Sequence, residues 1–441
     1  MREANLKIII ELKCFIDTVA ANRSFLNLFC VSGTDFLRTR KLPFDKLVFF
    51  IMRLCKKTLS IELEKFFEEL GDITGGCSVS AFSQQRIKLK PSLFYWWNTV
   101  LWDSFHRNYG KSVKRWKGYK LIAADGSSVG LVNTPALAAY FGGQSNQHTE
   151  FIAARTFYQY DVLNELVFSC GITPYRFSEL KMAYQGIDKL EPDMVTIYDR
   201  YFSNYVLVAL HLWQETEKKF VIRARDQLNI TKDFIASKKT SSIAYMKPSL
   251  SAIKVMKEMG FIVLSTTLLK VRLVRVELPG SIEVLITNLW EEEGHQSEEF
   301  KELYFKRWGV ETNIGIQKNI LQLQSFSGLT VQSVIQDFYA TVLTCNLHSI
   351  LLKDAQKNAD NTGKSRKYPQ KINKNKSFGK LKMNLTSLFF SNNPMQVLQE
   401  LYNHFIKDLI PIRTGRSFPR VRKNRQLNSK HKTYTNYKPA A

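Results

Sequence analysis

The sequence is poor in the residues that build metal clusters and disulfide frameworks. It has 6 cysteines and 7 histidines among 441 residues, and they are scattered without a CxxC pair. This pattern excludes zinc-ligand spacing and gives no indication of a disulfide framework. We find no signal peptide and no apolar run approaching the about 18 residues of a membrane span. A cytoplasmic protein without a membrane role is therefore expected.

Acidic residues are scarce relative to basic ones. The chain has 39 acidic and 63 basic residues, which gives a formal net charge of +24. With 44% hydrophobic residues it can bury substantial cores, so it is globular, and its length corresponds to about three domains. A basic surplus on such a protein indicates a polyanionic partner, with nucleic acid as the first candidate and an anionic membrane surface as the second.

The positive charge is concentrated near the carboxyl end. Residues 364–441 hold 18 lysines or arginines and two acids, Glu400 and Asp408, which is +16 of the +24. Two interpretations stay open for this segment: a disordered solubilising tail, or a flexible segment that contacts phosphates.

The pattern of predicted secondary structure and charge divides the chain into three parts. Residues 1–112 read as helical, residues 113–355 as mixed α/β, and residues 356–441 as a basic region with a helical segment near 378–410. In the first part, Ser80 is expected to cap a helix whose polar face offers Gln84, Gln85, Arg86 and Lys88. That helix fits either a groove of DNA or the outside of a helical bundle.

The α/β part alternates predicted strands and helices. GYKLIAADGS predicts a strand ending at Asp125, and DMVTIYDR predicts a buried strand with Asp199 at its carboxyl end. ARTFYQYDVLNELVFSCGIT predicts two strands around a turn at Asn164. Residues 216–290 are again strand-rich, with FIVLSTTLL among the predicted strands. We interpret them as a β-rich insertion.

Residues 304–318, YFKRWGVETNIGIQK, predict a helix with one charged stripe. Tyr304, Arg307, Glu311 and Lys318 have offsets of 0, 3, 7 and 14 residues, which places them on one side of a helix. A carboxylate beside a guanidinium, an ammonium and a phenol suits a site that holds anions. The alternative is a solvated face with ordinary charge pairing.

Three carboxylates stand at positions that suit metal chemistry. Asp125 and Asp199 end predicted strands, where the sites of open α/β folds lie, and Glu311 lies on the predicted helix. Three hard oxygen ligands would bind Mg²⁺ or Mn²⁺. Two such ions about 4 Å apart can clamp both oxygens of an in-line phosphoryl displacement. Each acid also has a structural alternative: an ordinary turn at Asp125, an ion pair of Asp199 with Arg200, and a charge pair at Glu311.

These residues together resemble a known family. YFKRWGVETNIGIQK is similar to the Y-x2-R-x3-E-x6-K signature of DDE transposases from bacterial insertion sequences, specifically the insertion-sequence-four family. The companion blocks ADGS, YDRYF and ITN precede it in the family's order. The resemblance spans about residues 40–440.

The resemblance implies a ribonuclease-H-like catalytic core in residues 113–355 with the β-rich insertion at 216–290. A helical domain that binds DNA ends, residues 1–112, precedes it, and the basic region follows. The implied catalytic acids and metal ligands are Asp125, Asp199 and Glu311. The implied DNA-binding positions are Arg200, Tyr304, Arg307 and Lys318.

The activity implied by the resemblance is that of a Mg²⁺- or Mn²⁺-dependent transposase with two ions. It would bind terminal inverted repeats, cleave the DNA at the element ends and transfer the 3′-OH strand into target double-stranded DNA. Its expected state is at least a dimer in the synaptic complex, and its expected place is the nucleoid of a bacterial cytoplasm. Ile314 and Trp290 depart from the pattern of relatives, which leaves a hairpin-forming pathway open.

Three alternatives remain open from the sequence. A catalytically inactive repressor would occupy the element ends without cutting them. A nucleoid-type binder would use the basic tail alone and bind any duplex, with steep salt dependence. A stand-alone nuclease of the same fold would carry the same acids.

Overall fold

The computed structural model describes residues 2–38, 40–54, 57–72, 76–145, 150–362 and 367–413. Within them the chain is mixed α/β with a central mixed sheet, which agrees with the predicted α/β class. In this part of the chain, no helix is long and apolar enough to cross a membrane. The predicted basic tail beyond residue 413 lies outside the described residues.

The helices follow in chain order as α1 (Arg2–Ala21), α2 (Arg23–Phe29), α3 (Phe44–Arg53), α4 (Leu59–Glu69), α5 (Val79–Arg86), α6 (Ser92–Tyr109), α7 (Pro135–Phe141), α8 (Glu179–Gly186), α9 (Tyr205–Leu212), α10 (Asn229–Ala236), α11 (Leu250–Glu258), α12 (Glu299–Phe305), α13 (Trp308–Asn319), α14 (Val331–Thr362), α15 (Lys374–Phe390) and α16 (Pro394–Lys407). Single turns of 3-10 helix lie at Gly110–Ser112, Ile187–Lys189, Arg200–Phe202 and Glu291–Glu293.

The strands follow in chain order as β1 (Lys120–Gly130), β2 (Gly143–Ser145), β3 (Glu150–Asp161), β4 (Leu166–Pro174), β5 (Met194–Tyr198), β6 (Lys219–Arg223), β7 (Ser241–Met246), β8 (Leu269–Leu278), β9 (Ser281–Thr287), β10 (Gln370–Ile372) and β11 (Leu409–Pro411).

The chain divides into two compact units, and both are discontinuous in sequence. The helical unit contains residues 1–113, 129–154 and 315–441, and the sheet unit contains residues 114–128 and 155–314. The assignment of residues 1–112, 113–355 and 356–441 as functional domains stays a prediction.

The sheet unit has the strand order β3-β1-β5-β6-β9-β8-β7, and β4 pairs with β3. β1, β5 and β6 are parallel, whereas β9 is antiparallel to β6, and β8 and β7 continue the antiparallel pairing. Residues 216–290 therefore supply four strands that extend the same sheet, and α10 and α11 lie among them.

An apolar core packs the sheet against α12, the helix in which the charged segment begins. β5 is buried at every residue, as expected for a central parallel strand covered on both faces. Val195 and Ile197 of β5 belong to the same buried cluster as Phe300, Leu303 and Tyr304 of α12. Burying one such side chain contributes about 1.5–3 kcal/mol. The core thus fixes the start of residues 304–318 against the sheet.

Three predicted elements differ from the structure in the sheet unit. β1 does not end at Asp125 but continues to Gly130. Residues 261–268 of FIVLSTTLL form no strand, and β8 begins at Leu269. The predicted single helix over 304–318 is broken at residues 306–307 into α12 and α13. The turn predicted at Asn164 is confirmed between β3 and β4.

In the helical unit, α5 is capped by Ser78 rather than by Ser80. The Ser78 hydroxyl accepts a hydrogen bond from Ala81 N–H. Gln85 and Arg86, predicted on an open polar face, are buried.

The Arg86 guanidinium is fully engaged inside the helical unit. It donates to Asp337 Oδ1 at 2.7 Å, to Gln336 Oε1 at 2.6 Å and to the Ser333 carbonyl at 2.9 Å. It also donates to the Ser327 hydroxyl. Of the two interpretations of this helix, Arg86 therefore supports packing within a bundle.

Candidate active site

Asp125 lies where the parallel pairing of β1 stops. The register of β1 with β5 ends at Ala124 opposite Tyr198, although β1 itself continues to Gly130. The Gly126 N–H donates a hydrogen bond of 2.9 Å to Asp125 Oδ1. The side chain is thus at the carboxyl edge of the neighbouring strand even though it is not at the end of its own.

The three predicted acids interact electrostatically. Burial raises the pKa of Asp125 to about 7, and the charges of Asp199 and Glu311 add to the rise, whereas Arg307 opposes it. The charges of Asp199 and Glu311 therefore act on the Asp125 carboxyl group, because like charges disfavour simultaneous ionisation. A buried, strongly shifted carboxyl group beside specific charges is typical of functional sites.

Asp199 follows β5 directly, as predicted. It caps the 3-10 turn Arg200–Phe202, and its Oδ1 accepts a hydrogen bond of 2.8 Å from Tyr201 N–H. The Arg200 side chain is exposed, and its carbonyl accepts from Arg225 Nε at 3.1 Å. Arg225 Nη2 also donates to the Tyr201 carbonyl at 2.6 Å. The segment after the second acid is therefore held in place by Arg225.

Arg307 lies in the break between α12 and α13 and is 6% exposed. Its Nη2 donates to Glu311 Oε1 at 2.9 Å, and its guanidinium carbon is 4.8 Å from the centroid of the Trp308 ring. Its Nε and Nη1 are buried and have no hydrogen-bond partner within the described residues. A buried guanidinium with free donors is costly unless another acceptor joins it, and phosphate oxygens match its fork geometry.

Tyr304 does not lie on one continuous helical stripe with Glu311 and Lys318. Tyr304 belongs to α12, before the break, and is 8% exposed, and burial raises its pKa to about 12. Lys318 belongs to α13, seven residues after Glu311, and burial lowers its pKa. Only Glu311 and Lys318 share a helix, because the chain turns at residues 306–307.

Sequence reasoning missed a second ion pair near Tyr304. Arg223 Nη1 and Glu283 Oε1 are 2.7 Å apart, and both charges act on the Tyr304 phenol. The available signal was FVIRAR, which places Arg223 at the end of β6 and Arg225 just beyond it.

The acids fit a divalent cation by their chemistry more than by their spacing. Three carboxylates whose charges oppose one another would be relieved by a cation, and oxygen ligands are those that Mg²⁺ and Mn²⁺ prefer. However, across the part of the chain that the structure describes, no group of three His, Cys, Asp or Glu side chains has a spacing that could hold a metal ion.

A family model for the transposase DDE domain matches residues 116–347, more than half of the chain. A comparison with curated protein sequences gives no match. Among solved structures, the chain is similar to the piggyBac transposase in a cryo-EM synaptic complex with hairpin DNA. The identity is 11%, the similarity covers 95% of this chain and 87% of that chain, and the TM-score is 0.42.

Proposed function

Because the chain belongs to the transposase DDE domain family, we propose that it is a transposase of the insertion-sequence-four type with a ribonuclease-H-like core. It binds terminal inverted repeats, cleaves DNA at the element ends by phosphodiester hydrolysis and transfers the 3′-OH strand into target DNA. The observation that carries the proposal is the match of residues 116–347 to the transposase DDE domain, together with the buried Arg307 that donates a hydrogen bond to Glu311.

Transposase DDE domains generally use divalent metal ions. In this chain Asp125, Asp199 and Glu311 would hold them, and we propose two ions, Mg²⁺ or Mn²⁺. The chemistry that such ions supply when bound is activation of water and of the 3′-OH, with neutralisation of charge on the scissile phosphate. Since the three side chains do not have ligand spacing in this structure, the proposal includes small side-chain movements on loading.

The chain's own cations would bind and orient the DNA backbone. Nε and Nη1 of Arg307 are buried donors without a partner in the described residues. They can therefore donate hydrogen bonds to phosphate oxygens without losing a protein contact. Arg307 also holds Glu311 through Nη2, which couples phosphate binding to the third acid. We propose that Tyr304, Lys318 and exposed Arg200 add further backbone contacts, and that the basic carboxyl-terminal region neutralises phosphates along the duplex.

The substrate chemistry also defines the proposed partners. Joining two element ends to a target requires double-stranded DNA at three places, and we propose a dimer in the synaptic complex. Residues 1–112 are the proposed end-binding domain and residues 113–355 the proposed catalytic domain. A DNA substrate would bring the protein to the nucleoid of a bacterial cytoplasm.

The experiment uses a labelled duplex that ends in the element's own inverted repeat, taken from the DNA beside the coding region. Wild type, Asp125→Asn and Asp188→Asn are compared in MgCl₂, MnCl₂ and EDTA. Asp188 is an exposed aspartate of the sheet unit, so its change removes the same charge without touching the acids.

Nicking at the repeat boundary by wild type and Asp188→Asn, only with metal, is the expected result. End-specific binding without a cut in any metal would instead support the inactive repressor. Equal binding to random duplex, again without a cut, would leave only charge-driven binding and would refute the transposase proposal.

A further inference from the structure

The last strand of the sheet, β7, has an open edge. Within the residues that the structure describes, the sheet ends at β7, which pairs with β8 on one side only. The Arg275 N–H donates to the Thr240 carbonyl at 2.9 Å, and antiparallel pairing alternates along the strand from that bond. The even-numbered residues of β7 therefore bond to β8, whereas the backbone groups of Ser241, Ile243 and Tyr245 point away from it.

The sequence of β7 lacks the residues that usually protect an edge strand. Its six residues, SSIAYM, include neither a charged residue nor a proline. Edge strands normally carry such residues, because open backbone groups pair with strands of other chains. Ile243 and Tyr245 are 52% and 54% exposed. Open backbone groups beside exposed apolar side chains indicate a surface that accepts a further strand.

The strand is complementary to a second copy of itself. Two copies related by a two-fold axis normal to the sheet pair antiparallel. With Ala244 on the axis, Ile243 lies opposite the partner's Tyr245 in a hydrogen-bonded pair, since the backbone groups of both residues point to the edge. The symmetry forms this pair twice, and aromatic residues opposite β-branched ones stabilise antiparallel strands. Ala244 faces its own copy, where its small side chain permits close approach.

The lysines beside the strand select the same register. With Ala244 on the axis, exposed Lys247 lies opposite Ser241 of the partner subunit, and exposed Lys239 lies opposite Ser249 of the partner subunit. A register centred on Ile243 would instead place Lys239 opposite the partner's Lys247. Like charges directly opposite each other are destabilising. The distribution of charge therefore favours the register that also pairs the apolar side chains.

We propose that β7 is a contact between two copies of this chain, which join their sheets edge to edge about a two-fold axis at Ala244. The inference rests on the proposed function for the expectation of a dimer, and it adds the surface and the register. Six residues from each copy cover less than a standard protein interface of about 1,200–2,000 Å². The contact is therefore weak by itself and is best detected by covalent trapping.

The experiment traps the contact with a disulfide in the full chain. In the proposed register the two Ala244 Cα atoms are about 4.5 Å apart, as in a non-hydrogen-bonded antiparallel pair, so Ala244→Cys can cross-link within the limit of about 7 Å. Ser242→Cys is the matched control, because it lies on the same strand and face but about 14 Å from its own copy. Both variants and wild type are oxidised in EDTA, with and without the labelled end duplex, and separated under non-reducing conditions.

We expect Ala244→Cys to give at least about ten times more cross-linked dimer than Ser242→Cys or wild type. Two charge variants are then made in the Ala244→Cys protein. Ile243→Lys with Tyr245→Lys places like charges opposite each other and should reduce the cross-linked dimer about tenfold. Ile243→Glu with Tyr245→Lys places opposite charges there and should retain it. Both variants change the same two exposed positions, so only the register distinguishes them.

No cross-link above wild type in Ala244→Cys, with or without the duplex, would overturn the proposal and leave the edge to a strand of another protein. Nicking of the end duplex by that protein would still support the transposase. Equal cross-linking by Ser242→Cys, or equal loss in the two charge variants, would also overturn the proposed pairing. A specific cross-link in a protein that cuts no DNA would support the dimer contact and count against the transposase.

Discussion

Replacing Asp125 with asparagine should stabilise the protein at alkaline pH while removing its proposed activity. The asparagine side chain has nearly the same shape and cannot ionise, so it removes the repulsion with Asp199 and Glu311. In wild type this repulsion, added to burial, raises the pKa of Asp125 from 3.8 to about 7.

The sign and size of the pH effect on the free energy of unfolding follow from proton linkage. Between the unfolded pKa near 4 and the folded pKa of about 7, the folded state binds more protons than the unfolded state. The contribution of Asp125 to the free energy of unfolding is therefore present at low pH, decreases as the pH rises from about 4 to about 7, and is lost above that. A shift of about three pKa units corresponds to about 4 kcal/mol. Between pH 5 and pH 8 the loss is about 3 kcal/mol.

The assay measures urea unfolding of wild type, Asp125→Asn and Asp188→Asn at pH 5 and pH 8, without divalent metal. Other titrating groups contribute to every protein, so the informative quantity is the difference between the pH dependences of wild type and variant. We expect the pH dependences of wild type and Asp125→Asn to differ by about 3 kcal/mol between pH 5 and pH 8. Asp188→Asn is the control for the loss of an exposed carboxylate. Parallel pH profiles for wild type and Asp125→Asn would refute the reasoning, because they would show that the carboxyl group is not destabilised on ionisation.

Three further outcomes are expected. In differential scanning fluorimetry at pH 8, MnCl₂ should raise the melting temperature of wild type much more than that of Asp125→Asn. Equal shifts in the two proteins would place the cation elsewhere. Asp337→Asn should destabilise the protein by about 3–5 kcal/mol in denaturant unfolding, because it leaves buried Arg86 without its counter-ion; an unchanged midpoint would contradict this. Arg307→Lys keeps the charge but loses the planar fork, so single-turnover cleavage of the end duplex should slow at least about tenfold, and a wild-type rate would argue against phosphate binding by Arg307.

The buried elements of the site could be predicted well from sequence. β5 reads as a continuous apolar run, and the residue after it, Asp199, stands where predicted. Asp125 was predicted at the end of β1, but the strand continues to Gly130. The reason is that β1 also has β3 as a neighbour, and the sequence of one strand does not show how many neighbours it keeps.

The charged segment is predicted as one helix because all of its residue types are compatible with a helical backbone. The break at residues 306–307 is tertiary in origin. Tyr304 packs into the core beneath the sheet, whereas the Arg307 side chain points to Glu311 and stacks near Trp308. Similarly, Arg86 looks like a surface residue by type, and its hydrogen-bond partners lie about 250 positions later in the chain, which no local pattern reveals.

Those distant partners of Arg86 also set an order of events during protein synthesis. Residue 337 leaves the ribosome about 250 residues after residue 86, which takes roughly 12–50 s at about 5–20 residues per second. Throughout that interval the amino-terminal helices lack Asp337 and the rest of α14, so Arg86 has no counter-ion and the apolar faces of the helices stay uncovered. Residues 155–314, by contrast, are complete before α14 emerges. A chain terminated before residue 337 would therefore retain its proposed acids and yet be a substrate for chaperones and proteases.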